Sequence, residues 1–435
     1  MTLVSRRDFL KTVGGTLGSV ALAGAFKPSV LVAQSSGGTG KTFVCCNLLG
    51  GFDGLFSMPY YDGTISQALR TTYRPTISIN PNDVLRVTDQ NGEAQKIGLH
   101  PSFAPLFNVA SDRMKIVQDY GIPGAPGRSH DTCQIIMSLG TTQVEGGEMV
   151  GFLAKLMDSQ NWDTFQYWSL ATTNPSDTNT RNRPPVAVND LNQLNYGTAS
   201  FESVVDNAYA PELQQMLVEM QTPRDSLSSR YKSELQTMHQ IVSKVRNDIA
   251  IQQVGQYDAG GIGNNLRDAA KIIKSKATGR GLDPNKDTII LVAQGGYDYH
   301  GGIIHPYGGN QITTTNALAR NLATFYQDLI SFGVLDKTII ALYSEFGRTV
   351  RESSTDPFIT GTDHGHGNNT IVFGGPIRAG VIGNAPSMAE ISSDYNALFP
   401  STDYRDIFSS VFTWMGINPQ TIFSEPYTPR NIGLI

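Results

Sequence analysis

Carboxylate and imidazole side chains gather in a few short, glycine-rich loops of this sequence. The loops read Gly50-Gly51-Phe52-Asp53-Gly54, Gly295-Gly296-Tyr297-Asp298-Tyr299-His300 and Gly361-Thr362-Asp363-His364-Gly365-His366-Gly367. Asp298 and His300 are two positions apart, so on an extended chain they project to the same side, as do His364 and His366. Aspartate and histidine ligands delivered together in this way are typical of divalent-metal sites.

The distribution of the seven histidines supports a metal site. Five of them fall in loops of this kind: His130, His300, His305, His364 and His366. His239 lies in a helical pattern, where a surface or core position explains it, and His100 is ambiguous. Each Asp or His taken singly has a simpler role as a capping or turn residue. Taken together, they predict one shared divalent-metal site.

A serine lies beside one of these histidines, in Arg128-Ser129-His130-Asp131 before a predicted helix over Thr132–Leu139. Serine at a helix N-terminus is commonly an N-cap. The alternative role for Ser129 is a nucleophile whose alkoxide form is stabilised by the metal and the helix dipole. Arg128 would then bind an anionic oxyanion group. The sequence leaves both roles open. A Ser-His-Asp triad is not supported, because adjacent Ser129 and His130 cannot easily face each other and no Gly-x-Ser-x-Gly elbow is present.

Short apolar runs rich in β-branched residues precede these loops. They predict buried parallel strands at Phe43–Leu49, Met114–Val117, Thr288–Ala293, Thr338–Tyr343 and Ile371–Phe373. Helical spacing alternates with them, as in Leu318, Leu322, Phe325 and Leu329 before Gly333, in Leu266–Ala277, and in a long helix from Thr222-Pro223. The alternation predicts an α/β fold with a doubly wound, mostly parallel sheet flanked by helices, in which ligands bind beyond the carboxyl ends of the strands.

The domain organisation follows from the same patterns. We expect one α/β domain over residues 34–435, with a helical insertion or lid at about 160–280. The segment Thr172–Tyr196 suits such an insertion, because it is rich in Asn, Thr, Asp and Pro and has little apolar periodicity.

Residues 1–33 are predicted to be a cleaved export signal. Ser5-Arg6-Arg7-Asp8-Phe9-Leu10-Lys11 matches the twin-arginine pattern, and a Gly/Ala-rich apolar run follows from Val13 to Phe26. This run is too short and too Gly-rich for a membrane-spanning helix. We therefore expect the twin-arginine translocase as export partner, a periplasmic or secreted location, and no stable membrane span after cleavage.

Composition excludes several classes of protein. Over 435 residues, 40% apolar and 16% charged content allows a large core and excludes wholesale disorder. The net charge of −5, which becomes −8 when four basic residues and one acidic residue leave with residues 1–33, lacks the basic footprint of a nucleic-acid binder. Three cysteines, two of them adjacent, cannot form a disulfide scaffold. The segment Ser35–Thr42 ends like a phosphate-binding loop but lacks the first glycine and the preceding strand, so nucleotide binding is rejected.

The three loops, together with Arg128-Ser129-His130 and Ser344-Glu345-Phe346-Gly347-Arg348, resemble those of a twin-arginine-exported bacterial family of unknown function in the alkaline phosphatase/sulfatase superfamily. The motifs run in the family's order over most of the mature chain. The resemblance implies a metal-dependent hydrolase fold with one or two divalent ions, for which Zn, Ca, Mn and Fe are all possible. It implies a site formed by Asp53, Ser129, Asp298, His300, Glu345, Asp363, His364 and His366, with Arg128 or Arg348 binding the ester oxygens.

Two features depart from the superfamily pattern. Glu345 stands where an Asp-His pair is common, and no cysteine lies in a Cys-x-Pro-Ser-Arg context, so formylglycine-based sulfatase chemistry is not expected. The leading hypothesis is an exported metal-dependent hydrolase acting on a small-molecule or glycan ester of phosphate or sulfate. The alternative is a non-catalytic, metal-containing envelope or glycan-associated binding protein with the same fold. A third hypothesis, a structural or polysaccharide-associated surface protein, rests on the Asn/Thr-rich segment.

Overall fold

A computed structural model of the chain describes residues 38–87, 95–144, 149–171, 175–181, 185–188, 191, 244–301, 306–423 and 427–435. The predicted export signal, the start of the long helix at Thr222-Pro223 and His305 lie outside these residues. Within the described ranges, no helix combines the length and the apolar character needed to cross a membrane.

The secondary structure alternates between strands and helices. The strands are β1 (Thr42–Leu48), β2 (Tyr60–Asp62), β3 (Lys96–Ile97), β4 (Met114–Gly121), β5 (Tyr167–Ser169), β6 (Val186–Ala187), β7 (Thr288–Gln294), β8 (Thr338–Tyr343), β9 (Asn368–Gly374), β10 (Gly380–Ile382) and β11 (Thr402–Asp403). The helices are α1 (Gly54–Ser57), α2 (Thr64–Ala68), α3 (Ala104–Ala110), α4 (His130–Leu139), α5 (Phe152–Ser159), α6 (Gly261–Thr278), α7 (Asn310–Ser331), α8 (Met388–Ser392) and α9 (Tyr404–Met415). A further helical segment covers residues 244–250.

A nine-stranded sheet runs through the centre, in the order β10-β4-β9-β8-β1-β7-β5-β6, with β11 also paired to β4. Strand β1 lies between β7 and β8 and is parallel to both, so that Cys45 is in register with Leu291 and with Ala341. Strands β2 and β3 form a separate two-stranded sheet. The mostly parallel α/β sheet predicted from the sequence is therefore confirmed.

The direction of one strand differs from the prediction. The run Ile371–Phe373 was expected to be parallel, but β9 is antiparallel to both of its neighbours, β4 and β8. A parallel return needs a crossover connection, usually a helix. The segment between β8 and β9 contains no helix, as the described residues 344–367 show, and it returns directly beside β8.

Helices cover both faces of the sheet. Alternate residues of β1 enter two different cores, because successive side chains of a strand point to opposite faces. Val44 packs in the core that includes Leu266 of α6 and Leu318 of α7. Phe43 packs in the other core, with Phe408 of α9. The predicted arrangement of helices on both sides of the sheet is thus observed.

Part of the range predicted to be an insertion contributes to the central sheet. Strands β5 and β6 lie within residues 160–280, and β5 pairs in parallel with β7. Helix α6 packs on the same sheet through Leu266 and Ile273. Residues 192–243 lie outside the described part of the chain, so a lid in that range stays a prediction.

Candidate metal centre

Glycine turns bring the ends of two neighbouring strands into close approach. Gly50, directly beyond β1, has a φ of +111°, which L side chains rarely adopt. A Cβ placed there would lie 2.7 Å from the backbone nitrogen of Asp298, in the loop after β7. The loop that carries Asp298 can therefore pack against the β1 turn only where a glycine stands.

Three histidine side chains, from two loops and the start of α4, converge on one carboxylate oxygen, Oδ1 of Asp298. Nε2 of His300 lies 2.8 Å from this oxygen, and Nε2 of His364 lies 3.1 Å from it. Nε2 of His130, in the first turn of α4, lies 3.4 Å from it. The Nε2 atoms of His300 and His364 are themselves only 2.9 Å apart. The predicted convergence of Asp298, His300 and His364 is therefore what the fold produces.

The other ring nitrogen of each histidine, Nδ1, faces an oxygen that can only accept a hydrogen bond. The three pairs are His130 with Oε1 of Glu345 at 2.7 Å, His364 with the carbonyl oxygen of Arg128 at 2.6 Å, and His300 with Oδ1 of Asp363 at 3.3 Å. A proton on each Nδ1 leaves the lone pair on Nε2, which points into the centre. Metal-bound histidines are typically oriented in this way by carboxylates or carbonyls.

The centre fits a bound cation. Nε2 of His130 is buried and has no hydrogen-bond partner within the described residues. Its 3.4 Å approach to Asp298 does not have the geometry of a hydrogen bond. Lone pairs that face a carboxylate oxygen repel it, and a cation between them turns this repulsion into attraction. Two triads have ligand atoms within 4.8 Å of one another, namely His130, Asp298 and His364, and His300, Asp363 and His364.

Asp298 is held in its ionised form by its neighbours. Burial by itself would raise the pKa of this carboxyl, but the hydrogen bond and charge of Arg348, with His364 and His300, lower the pKa below its ordinary value. Nη2 of Arg348 donates to Oδ1 of Asp298 at 2.7 Å. The Asp298 side chain is 46% exposed, so the centre is open to solvent on one side.

Arg348 was expected to bind the ester oxygens of a substrate, but its side chain has a different role in this structure. Its side chain is fully buried, and its nitrogens donate to the backbone carbonyls of Gly50, Gly51, Tyr297 and Thr362 besides Asp298. A guanidinium enclosed in this way cannot reach a substrate. Arg348 therefore ties the loops after β1 and β7 together and positions Asp298.

Glu345 lies behind the centre and orients His130. Its carboxylate is buried and accepts hydrogen bonds from His130, from the backbone nitrogen of Gly50 at 2.9 Å, from Gln134 at 3.1 Å and from Ser344 at 2.9 Å. The hydrogen bond with Glu345 raises the pKa of His130 above its ordinary value, although burial opposes this. Burial by itself would raise the pKa of Glu345, but the His130 bond and the other donors lower it. Glu345 was predicted as a ligand, whereas here it is the hydrogen-bond partner of a candidate ligand, His130.

Asp53 was also predicted as a metal ligand, but its carboxylate is engaged with other residues. It is buried, and both of its oxygens are bonded by Nη1 of Arg74, at 2.9 and 3.0 Å. Oδ1 additionally accepts from the backbone nitrogen of Phe56, as the N-cap of α1, and Oδ2 accepts from the hydroxyl of Thr362 at 3.2 Å. These four hydrogen bonds occupy the carboxylate, so Asp53 faces a guanidinium where the sequence predicted a metal.

The remaining predicted ligands lie at the edge of the centre. Asp363 is 69% exposed and contacts Nδ1 of His300. His366 belongs to neither triad, and its Nε2 lies 2.7 Å from the hydroxyl of Tyr395. Burial, together with the charge of Arg128, lowers the pKa of His366 to about 4. His100 lies elsewhere, as the N-cap of a short 3-10 helix.

Ser129 is the N-cap residue of α4, but its side chain makes no capping hydrogen bond within the described part of the chain. It is exposed to solvent. The residues on either side both contribute to the centre, since the carbonyl of Arg128 accepts from His364 and His130 faces Asp298. Among the described residues, Ser129 therefore occupies the N-cap position without making the hydrogen bond that defines a capping serine.

His130 was noted in the sequence but was not assigned as a ligand. The signal that could have identified it was its position next to Ser129 at the same predicted helix N-terminus. Tyr395, which bonds His366, carried no signal in the sequence, because it lies in a loop without a motif.

A family model described as a protein of unknown function, DUF1501, matches residues 151–434. The chain belongs to this family. The resemblance predicted from the loop motifs is confirmed at the level of the family. The matched DUF1501 region contains Asp298, His300 and His364, while His130 and Asp53 precede it.

Several solved structures resemble this DUF1501 protein at low TM-scores. A protein in the alkaline phosphatase superfamily from Vibrio parahaemolyticus has 11% identity and a TM-score of 0.40, over 97% of this chain and 79% of its own. The lipoteichoic acid synthase LtaP from Listeria monocytogenes has 11% identity and a TM-score of 0.39, over 95% and 80%. The sulfatase PsFucS1 from Pseudoalteromonas sp. has 10% identity and a TM-score of 0.34, over 97% and 75%. At such scores these likenesses say nothing about activity. No curated protein matches the chain.

Proposed function

We propose that this protein is an exported, metal-dependent hydrolase of phosphate or sulfate esters. The observation that supports this proposal most strongly is the convergence of three histidine Nε2 atoms on Oδ1 of Asp298, within 2.8 to 3.4 Å. Export by the twin-arginine translocase to the periplasm or beyond is part of the proposal and rests on the Arg6-Arg7 motif.

His130, His300, His364 and Asp298 would hold the ion. Three imidazole nitrogens and one carboxylate oxygen form a donor set that favours zinc or iron over calcium, which prefers oxygen ligands. A bound ion of this kind supplies a Lewis acid that polarises an ester oxygen and lowers the pKa of a nearby hydroxyl or water. Glu345, Asp363 and the Arg128 carbonyl keep the three imidazoles in the tautomer that such binding needs.

Ser129 and Arg128 are the residues on this chain that would act on the ester. In the proposed reaction Oγ of Ser129 gives up its proton and attacks the phosphorus or sulfur atom. The bond to the ester oxygen breaks, and this oxygen takes up a proton and leaves as the alcohol. Water then attacks the same phosphorus or sulfur atom, the bond to Oγ breaks, phosphate or sulfate is released, and a proton from the water restores the serine hydroxyl. The guanidinium of Arg128 would pair with the non-bridging oxygens, on which negative charge accumulates.

A non-catalytic metal-binding protein of the cell envelope is the second candidate. One observation favours it: within the described residues, the side chain of Ser129 makes no hydrogen bond to a general base. In that case the centre would bind metal and anions without turnover.

Turnover assays on the metal-loaded protein test the proposal. The panel contains a phosphomonoester, a phosphodiester and an aryl sulfate, each measured with and without a chelator. Asp298→Asn should abolish turnover, whereas Asp62→Asn, which changes an exposed carboxylate of the two-stranded sheet, should not. Absence of turnover with all three ester classes would exclude the hydrolase and favour the binding protein. Turnover that survives Asp298→Asn would contradict the site.

A further inference from the structure

The side chain of Arg128 is held from two directions by one aromatic residue. Its guanidinium carbon lies 4.5 Å from the ring centroid of Tyr395, in cation–π contact. Its Nη2 donates to the backbone carbonyl of the same Tyr395 at 2.8 Å. Contact with both the ring and the carbonyl of one residue fixes the plane and the direction of the guanidinium.

His366 completes this enclosure. Its Nε2 faces two donors, the hydroxyl of Tyr395 at 2.7 Å and Nε of Arg128 at 3.4 Å. An imidazole nitrogen between two donors acts as the acceptor for both, so His366 links Tyr395 to Arg128. The rings of His366 and Tyr395 are nearly parallel, with an interplanar angle of 11°. Arg128, Tyr395 and His366 therefore form one connected unit, which we call the arginine clamp.

The clamp leaves one end of Arg128 without a protein partner. Nε and Nη2 are both bonded, whereas Nη1 makes no hydrogen bond to any residue that the structure describes. The backbone carbonyl of Arg128 accepts a hydrogen bond from Nδ1 of His364 at 2.6 Å, and Ser129 is the next residue in the chain. The backbone of Arg128 therefore contacts the metal centre through its carbonyl, while the guanidinium is held by His366 and Tyr395 with Nη1 left unbonded by the described residues.

We propose that Tyr395 is a positioning residue that holds Arg128 ready to bind a tetrahedral oxyanion, phosphate or sulfate, beside Ser129. This inference rests on the proposed function, because it assigns the anion-binding step of the same site. A pre-oriented guanidinium loses less side-chain freedom on binding, so the affinity for the anion increases. His366 acts within the clamp, which explains why it lies apart from the metal ligands although its sequence position is two residues from His364.

The test measures affinity for inorganic phosphate by calorimetry on the metal-loaded protein, so that it does not depend on turnover. Tyr395→Leu removes the ring and the hydroxyl and should weaken phosphate binding by about 3- to 10-fold. Tyr395→Phe keeps the ring over Arg128 and should weaken it less. Tyr61→Leu is the matched control, because Tyr61, in β2 of the two-stranded sheet, also has an arginine, Arg86, over its ring, and its replacement should leave the phosphate affinity unchanged.

The double variant Arg128→Ala/Tyr395→Leu separates positioning from a merely structural role. Once Arg128 is absent, the loss of Tyr395 should have no further effect on phosphate affinity. Tyr395 is 44% exposed, so its replacement is expected to be tolerated. Arg128→Lys tests the clamp from the other side, because a lysine keeps the charge but lacks the planar, forked guanidinium that stacks on Tyr395 and bonds both partners in fixed directions, so phosphate binding should weaken at least about threefold.

Equal phosphate affinity in the wild type and Tyr395→Leu would overturn the inference, as would additive losses in the double variant. So would a wild-type protein that binds neither phosphate nor sulfate. Phosphate binding that depends on Tyr395 through Arg128, in a protein that hydrolyses no ester, would support the clamp and overturn only the proposed hydrolase.

Discussion

Nε2 of His130 lies 3.4 Å from Oδ1 of Asp298, yet it is buried and has no hydrogen-bond partner in the described chain. When the imidazole is neutral and its proton is on Nδ1, donated to Glu345, a lone pair of Nε2 faces the carboxylate. An arrangement of this kind is unfavourable without a positive charge between the two groups. The relationship of these two residues is the physical basis for the proposed metal centre.

Arg74 is predicted to be essential for stability rather than for metal binding. Its guanidinium neutralises Asp53 in a buried pair, and Arg74→Met would leave that carboxylate without its cation. Breaking such a pair should lower the free energy of unfolding by about 3–5 kcal/mol, as measured by urea denaturation. The double variant Asp53→Asn/Arg74→Met should lose less free energy of unfolding than Arg74→Met alone. A loss below about 1 kcal/mol in the single variant would mean that the pair is not needed.

Asp119 is predicted to make stability depend on pH. It is buried in β4 at a φ of +48°, and burial raises its pKa to about 7, although hydrogen bonds from Ser401 oppose this. Its unfolded pKa is about 3.9, so the folded chain binds the proton more tightly. The resulting stabilisation is present below about pH 4 and is lost as the pH rises to about 7.

Asp119→Asn should remove this dependence. Asparagine has no charge and tolerates the left-handed backbone conformation at this position. The Tm of Asp119→Asn should therefore exceed that of the wild type by more at pH 8 than at pH 5, as thermal unfolding at both pH values will show. Asp62→Asn, which alters an exposed carboxylate, is the control. An equal gain in Tm at the two pH values would contradict the predicted role of the Asp119 charge.

Ser129→Ala should change activity more than stability. Loss of a working N-cap costs about 1 kcal/mol, but Ser129 makes no capping hydrogen bond within the described residues, so the cost should be below about 0.5 kcal/mol. Turnover should fall by at least about 100-fold if Oγ is the nucleophile. Ser387→Ala is the matched control, because Ser387 does cap α8 through the backbone nitrogen of Glu390. Equal destabilisation by both variants, with turnover unchanged, would make Ser129 a simple cap.

The sequence predicted the sheet and the loops of the centre because both follow from local patterns. Thr338–Tyr343 coincides with β8, and Asp298 and His300 lie directly beyond β7, where ligand sites of parallel sheets are expected. The direction of β9 could not be predicted in this way. It depends on the absence of a crossover helix in the long connection from β8.

The ligand set was harder to predict, because it depends on contacts between distant residues. His130 becomes a candidate ligand through Glu345, which is 215 positions away in the chain. Asp53 is removed from the set by Arg74, whose partner cannot be read from spacing. Side-chain pairing across the fold decides which acids and histidines face the ion and which only support those that do.

Elemental analysis of the protein purified without added metal tests the central claim most directly. The account predicts about one zinc or iron ion per chain, since four donors of this kind hold a single ion. It further predicts that His130→Gln and His364→Gln lose this ion, whereas His366→Gln and the charge-balanced double variant Asp53→Asn/Arg74→Met retain it. A wild-type protein without transition metal, or a His130→Gln variant with undiminished metal content, would contradict the account.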